Sequence, residues 1–94
     1  MSFVDLMDEI YNRLRVTVIE YPDENLRLLI LSLQKPILFA RENPDDVRKD
    51  KLLKKARNWL NVQSWKHPIL RRNFQKIIER IDQFEASHRE GEVV

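Results

Sequence analysis

The fold is decided by the stretch PILRRNFQKIIERIDQF, residues 68–84. Its apolar residues recur at intervals of four, three, four and three, at Leu70, Phe74, Ile77, Ile81 and Phe84. This spacing forms one apolar seam along a helix, which is typical of a helical bundle or a short coiled coil. Proline suits the first turn of a helix, where its missing N–H would have no partner. The stretch therefore predicts a helix that begins at Pro68.

The segment before this helix predicts another amphipathic helix. NPDD at residues 43–46 offers a capping asparagine, a proline for the first helical position and two acidic residues for the first turn. We expect this helix to run from there to about Gln63. At ~100° per residue its apolar side chains share one face and its basic side chains the opposite face. The apolar face holds Leu52, Leu53, Ala56, Trp59 and Leu60, and the basic face holds Lys51, Lys54, Lys55 and Arg57.

Two further helices are predicted in the N-terminal half. Ser2 and Asp5 have capping-box spacing, and the apolar periodicity that follows predicts a helix over residues 3–20. Pro22 is expected at the first position of the next helix, and Pro36 to kink or break that helix near residues 34–35. The whole pattern predicts an all-α domain of about four helices over residues 1–88. Residues 89–94 are expected to form a flexible polar tail.

Composition argues against catalysis and against a bound cofactor. The chain has one glycine, in the C-terminal tail, so a glycine-rich phosphate loop is not expected. It has no cysteine, and its two histidines, His67 and His88, lack metal-ligand spacing. Asp45 and Asp46 are interpreted as capping residues and not as a catalytic pair. We expect a protein that is not an enzyme and needs no metal or other cofactor.

The N-terminal residues and the apolar runs bear on location. Acidic residues interrupt the first helix, so a secretion signal is not expected. The longest apolar stretch, residues 28–33, is too short to cross a bilayer. The expected location is the cytoplasm, with the nucleus as the alternative.

Charge is strongly polarised along the chain. Residues 48–80 hold eleven basic and two acidic residues, a net charge of +9. The remaining residues hold six basic and thirteen acidic residues, a net charge of −7, so the whole chain carries only +2. Such asymmetry indicates an anionic partner. The alternative is an ordinary solvated surface whose cations are neutralised by carboxylates of the same chain.

These observations favour a protein that contacts the phosphate backbone of nucleic acid through the third and fourth helices. Duplex RNA is marginally favoured over DNA, because a rigid basic helix pair suits recognition of shape rather than sequence. The residues expected to bind are Lys51, Lys54, Lys55, Arg57, Arg72, Lys76 and Arg80. Trp59 is expected in the core, whereas Trp65 is either structural or a stacking surface for an unpaired base.

Two other partner classes stay open from the sequence. The chain could be an adaptor, inhibitor or regulatory subunit whose basic face docks an acidic protein, and attachment to an anionic membrane surface is a weaker third possibility. The second helix has more apolar residues than one buried face requires: Leu28, Leu31, Ile37, Leu38 and Phe39. This surplus is either core of the monomer or a homodimer interface, and we favour the homodimer, since a short chain gains core by pairing.

Overall fold

The computed structural model describes the backbone of residues 2–93 and the side chains of residues 2–88. It contains four α-helices: α1 (Phe3–Glu20), α2 (Glu24–Glu42), α3 (Lys49–Lys66) and α4 (Arg71–Val93). A single 3₁₀ turn, Pro68–Leu70, leads directly into α4. No strand occurs within residues 2–93. The prediction of an all-α domain with about four helices is confirmed.

Contacts between helix ends establish the relative directions of α1, α3 and α4. Phe3 at the start of α1 packs against Phe84 near the end of α4, with 6.3 Å between ring centroids. Asn73 at the start of α4 donates a hydrogen bond to the Glu20 carboxylate at the end of α1. Lys49 at the start of α3 places its ammonium over the Phe3 ring. Helices α1 and α3 therefore run in one direction, and α4 runs antiparallel to both.

The core lies between all four helices. Every residue of the predicted α4 seam is buried, which confirms the seam. The predicted start of the helix at Pro68 is wrong by three residues, because a 3₁₀ turn occupies Pro68–Leu70 and α4 begins at Arg71. The other helices complete one continuous cluster with Leu6, Ile10 and Leu14 from α1, Ile30 and Ile37 from α2, and Leu53 and Leu60 from α3. Trp59 was predicted in the core. It is half-buried at the edge of the core, where it packs on the Phe74 ring with centroids 5.9 Å apart, so this prediction is confirmed in part.

Capping begins the first two helices. The Asp5 amide donates to the Ser2 hydroxyl at 3.1 Å and the Ser2 amide donates to the Asp5 carboxylate at 3.3 Å, so the predicted capping box is present. For α2 the prediction was wrong by two residues: Asp23 is the N-cap and accepts from the Leu26 amide at 3.1 Å. Asp23 is preferred as the N-cap because its carboxylate accepts from the free Leu26 N–H, so Pro22 lies one residue before the cap.

The predicted start of α3 is wrong. Asn43 ends α2, and both its backbone N–H and its side-chain amide donate to the Phe39 carbonyl. Asp45 and Asp46 lie exposed in the turn that follows, and α3 begins at Lys49. The same side chain that can cap the start of a helix can also bond to the free carbonyls at its end. The helix also ends three residues later than expected, at Lys66.

Helix α2 passes through Pro36 without a break. The helix is assigned without interruption from Glu24–Glu42. Proline removes the N–H that would bond to the carbonyl of Ser32, four residues earlier. Both residues are exposed, so the lost bond lies outside the core. Of the two outcomes predicted at Pro36, the break is absent, and the kink stays a prediction.

The backbone of α4 continues in helical form to Val93, beyond the predicted domain end at residue 88. The side chains of residues 89–94 lie outside the described part of the chain. That residues 89–94 form a flexible tail stays a prediction.

Candidate nucleic-acid interface

The basic face of α3 is turned to solvent. Leu53, Ala56 and Leu60 fix the orientation of the helix because they are buried in the core. The three lysines predicted on the opposite face, Lys51, Lys54 and Lys55, are all exposed. None of them forms an ion pair with a carboxylate among the described side chains. Their charges are therefore available to an anion from outside the chain.

Acidic residues are scarce near this face. No aspartate or glutamate occurs from residue 51 to residue 78, which covers nearly all of α3 and the first two turns of α4. Asp50, in the first turn of α3, lies four residues before Lys54, at a spacing that allows an ion pair, but it forms none with a described side chain. Lys51 and Lys55 have no acid three or four residues away.

A straight row of exposed polar and aromatic side chains extends from the lysines along α3. Lys54, Asn58, Asn61 and Trp65 follow one another at intervals of four, three and four residues, and all four are exposed. At 1.5 Å per residue the row is about 16 Å long. The row therefore has the Lys54 ammonium at one end, two asparagine amides in the middle and the Trp65 indole at the other end.

Arg57 does not belong to this exposed set. It lies on the side of α3 that faces α4, and its Nε and Nη2 atoms donate to the two carboxylate oxygens of Asp82 at 2.8 and 3.3 Å. These hydrogen bonds, together with the charge of Asp82, raise the pKa of Arg57 above its already high usual value. The structure thus places this predicted binding residue in a bond between α3 and α4.

The three basic residues predicted to bind on α4 are Arg72, Lys76 and Arg80. The stripe that they form lies nearer to α1 than to α3. Arg80 donates to the Glu9 carboxylate at 2.8 Å and to the Gln83 side chain at 3.2 Å. Lys76 lines a groove between α1 and α4. The basic rows of α3 and α4 therefore diverge. Arg72 and Lys76 are both exposed without an ion pair to a described carboxylate, whereas Arg80 is bonded to Glu9.

The groove between α1 and α4 has a volume of about 530 Å³ and mixed charge. Its α1 wall carries carboxylates, including Asp5 and Glu9, together with the basic Arg13, and α4 contributes Lys76. At its base Thr17 is buried, and its hydroxyl accepts a hydrogen bond from the Asn73 amide at 3.1 Å. Opposite charges at close range neutralise each other, so this groove is a poor site for a polyanion.

Arg71 was not among the seven residues predicted to bind, but the structure places it on the exposed basic surface. Arg71, the first residue of α4, places its guanidinium 5.0 Å from the centroid of the Trp65 ring. The two residues are separated by the turn Pro68–Leu70, which folds α4 back beside the end of α3. Helical periodicity cannot detect such a pair, because it relates positions within one helix only. The proximity of the two residues in the sequence was the available signal.

No described helix combines the length and the apolar content that crossing a bilayer requires. Comparison of the chain with models of protein families, with curated proteins and with solved structures finds no match. Its function must therefore be argued from the geometry of its own residues.

Proposed function

We propose that this chain is a small non-enzymatic protein that binds the phosphate backbone of nucleic acid, with duplex RNA favoured over DNA. The observation that carries the proposal is the exposure of Lys51, Lys54 and Lys55 on one face of α3 without a carboxylate partner among the described side chains. Arg72 and Arg71 extend the positive charge onto the start of α4.

Phosphate binding is the chemistry that such a surface favours. Lysines that contact phosphates release the counterions condensed on the nucleic acid, and this release drives binding without regard to sequence. Arg57 and Arg80 are already bonded to carboxylates, so they contribute less than the sequence suggested. With about four phosphate contacts, the logarithm of the binding constant falls with the logarithm of salt concentration at a slope of about −3 to −4.

Fluorescence anisotropy with a blunt-ended RNA duplex of about 16 base pairs, long enough to span two minor grooves, tests the proposal. The binding constant is measured at several salt concentrations for the wild-type chain and for Lys54→Glu/Lys55→Glu. Arg15→Glu/Arg27→Glu is the matched control, since it reverses two exposed charges outside α3 and α4 that form no ion pair with a described carboxylate. We expect the α3 variant to lose binding by about a hundredfold and the control by less than about threefold, because only the former adds carboxylates to the binding face.

Two results would contradict the proposal. One is binding that does not respond to salt, and the other is an equal loss for the α3 variant and the control variant. A DNA duplex of the same sequence, measured in parallel, tests the preference for RNA.

A second candidate function is supported by the outer side of α2. Leu28 and Phe39 are 61% and 54% exposed there, while Ile37 of the same predicted apolar set is buried in the core. Exposed apolar side chains of this size are typical of protein interfaces when they cluster. In this alternative the chain is an adaptor, inhibitor or regulatory subunit that docks an acidic protein. Pull-down from lysate with and without nuclease separates the two functions, because a protein partner remains after nuclease treatment.

The same α2 surface supports a homodimer, which we propose as the state in which the chain binds nucleic acid. Pairing through α2 leaves the exposed face of α3 free in both copies. Two such faces on one particle bind a long polyanion more tightly than one face does.

A further inference from the structure

The α3 row ends in an indole that the core does not use. Trp65 is 71% exposed, the highest value among the large apolar side chains of the described part. Tryptophan is largely buried in most folded proteins, because its large apolar surface is costly to hydrate. By contrast, Trp59, six residues earlier, is half-buried against Phe74. The fold therefore has one structural tryptophan and one that faces solvent.

Arg71 holds this indole from one side. Its guanidinium lies 5.0 Å from the ring centroid, a distance at which a cation is attracted to the ring face. The neighbouring Leu70 is fully buried and anchors the turn, so the backbone of Arg71 has a fixed position relative to α3. Since the guanidinium covers one face of the ring and most of the side chain is exposed, the opposite face is open to a planar ligand.

We propose that Trp65 is a stacking surface for an unpaired nucleobase, and that the preferred ligand is therefore an RNA duplex with a single-stranded extension. This inference rests on the proposed function and names its substrate class. Every base has a flat π-face, so an indole stacks on any of them without sequence preference. Phosphates of the duplex contact the lysines of α3, and the first unpaired nucleotide reaches Trp65 at the other end of the row.

The surroundings of the indole favour a nucleotide over an apolar peptide. Lys66, Arg71 and Arg72 lie within a few residues of it in the chain, and no acidic residue lies between residues 51 and 78. An unpaired nucleotide brings one phosphate for each base, which matches a ring bordered by cations. Asn61, one turn earlier in the same row, is exposed and offers an amide to a base edge.

The test compares two RNAs, a blunt duplex and the same duplex with a three-nucleotide extension, by fluorescence anisotropy with the full chain. We expect the extended RNA to bind about tenfold more tightly, in keeping with the stacking of one base on an aromatic side chain. Trp65→Ala is expected to remove this difference while the affinity for the blunt duplex changes less than about twofold. Trp65→Phe should keep part of the difference, because a smaller aromatic ring still stacks.

Ile69→Ala is the matched control, since Ile69 is an exposed apolar side chain at the same end of the bundle without a π-face. It should keep the full preference for extended RNA, and an equal loss in Ile69→Ala and Trp65→Ala would overturn the inference in favour of an apolar protein-docking patch. Equal wild-type affinity for both RNAs, with normal salt dependence, would also overturn it and leave the proposed function standing. Absence of salt-dependent binding to either RNA would instead refute the proposed function and this inference with it.

Quenching of Trp65 fluorescence provides a second measurement in a Trp59→Phe background, where only one indole emits. A stacked base quenches an indole by direct contact. We expect strong quenching by extended RNA and little by blunt duplex. Unchanged emission with bound extended RNA would contradict stacking.

Discussion

At the scale of single residues, a cationic side chain is available to an anionic partner when it forms no ion pair with a carboxylate of the same chain. Glu9 accepts hydrogen bonds from Arg13 and from Arg80, at 3.2 and 2.8 Å. Its carboxylate is only 19% exposed, so the two guanidinium groups form its immediate environment. The sequence predicted that Arg80 would be available to an anionic partner, but in the structure it is bonded to Glu9 of α1.

Arg57 and Lys54 show the same distinction on neighbouring turns of α3. The double variant Arg57→Ala/Asp82→Asn removes an ion pair without changing the net charge, whereas Lys54→Ala removes one exposed charge. We expect the double variant to bind RNA like wild type, and Lys54→Ala to reduce the magnitude of the salt slope by about one. Salt titration by anisotropy measures both slopes. A reduced slope in the double variant would mean that Arg57 leaves Asp82 to contact phosphate.

At the scale of helices, α2 is the element in which local and tertiary preferences disagree. Proline in a helix interior removes one hydrogen bond and clashes with the preceding turn. The helix still forms because Ile30, Leu33 and Ile37 are buried on its inner side, and this burial outweighs the local cost. The exposed position of Pro36 keeps the disturbed turn in water.

Pro36→Ala therefore should stabilise the protein. Alanine restores the N–H that bonds to the Ser32 carbonyl, which favours the helix by up to about 3 kcal/mol. The unfolded chain gains about 0.4–1 kcal/mol of conformational freedom when proline is lost, so a net gain of about 1–2 kcal/mol in the free energy of unfolding is expected. Urea denaturation followed by circular dichroism measures it. Lys35→Ala, at the adjacent exposed position, serves as the control and should change stability by less than about 0.5 kcal/mol. A destabilised Pro36→Ala would show that the proline shapes α2 for its neighbours.

At the scale of the whole molecule, the exposed surfaces of α3 and α2 favour different partners. The exposed lysines of α3 favour a polyanion, and the exposed Leu28 and Phe39 of α2 favour an apolar partner. Direct packing links α2 to α1, α1 to α4, and α4 to α3. The exposed lysines and the exposed Leu28 and Phe39 therefore belong to the two helices at opposite ends of this packing order, while Trp65 adds exposed apolar surface to α3 itself.

Light scattering of the full chain tests the dimer proposed for α2. We expect a mass near twice 11.4 kDa for wild type and near 11.4 kDa for Leu28→Gln/Phe39→Gln. The reason is that amides at the centre of an apolar interface lose hydration without gaining partners. Val16→Gln, which changes an exposed apolar residue of α1, should leave the mass at the dimer value. A wild-type monomer at all concentrations, or a dimer that the α2 variant does not disturb, would contradict the proposal.

The sequence by itself determined the helical class, the limits of α1 and the buried seam of α4. These features depend on interactions between residues three or four apart, such as the Ser2–Asp5 cap and the spacing of Phe74 and Ile77, and periodicity records such interactions directly. It also predicted the exposed face of α3, because that face is simply the one opposite the apolar residues.

Tertiary structure alone decided which cations remain open. Arg57 meets Asp82 across 25 residues of sequence and Arg80 meets Glu9 across 71, so no local pattern could indicate either bond. Asn43 is a different case: its bond to the Phe39 carbonyl spans only four residues, and the sequence was ambiguous there because an asparagine side chain can satisfy free backbone groups at either end of a helix. For the arginines the physical reason is that a guanidinium can pair with any of several chemically equivalent carboxylates, and packing determines which carboxylate is within reach.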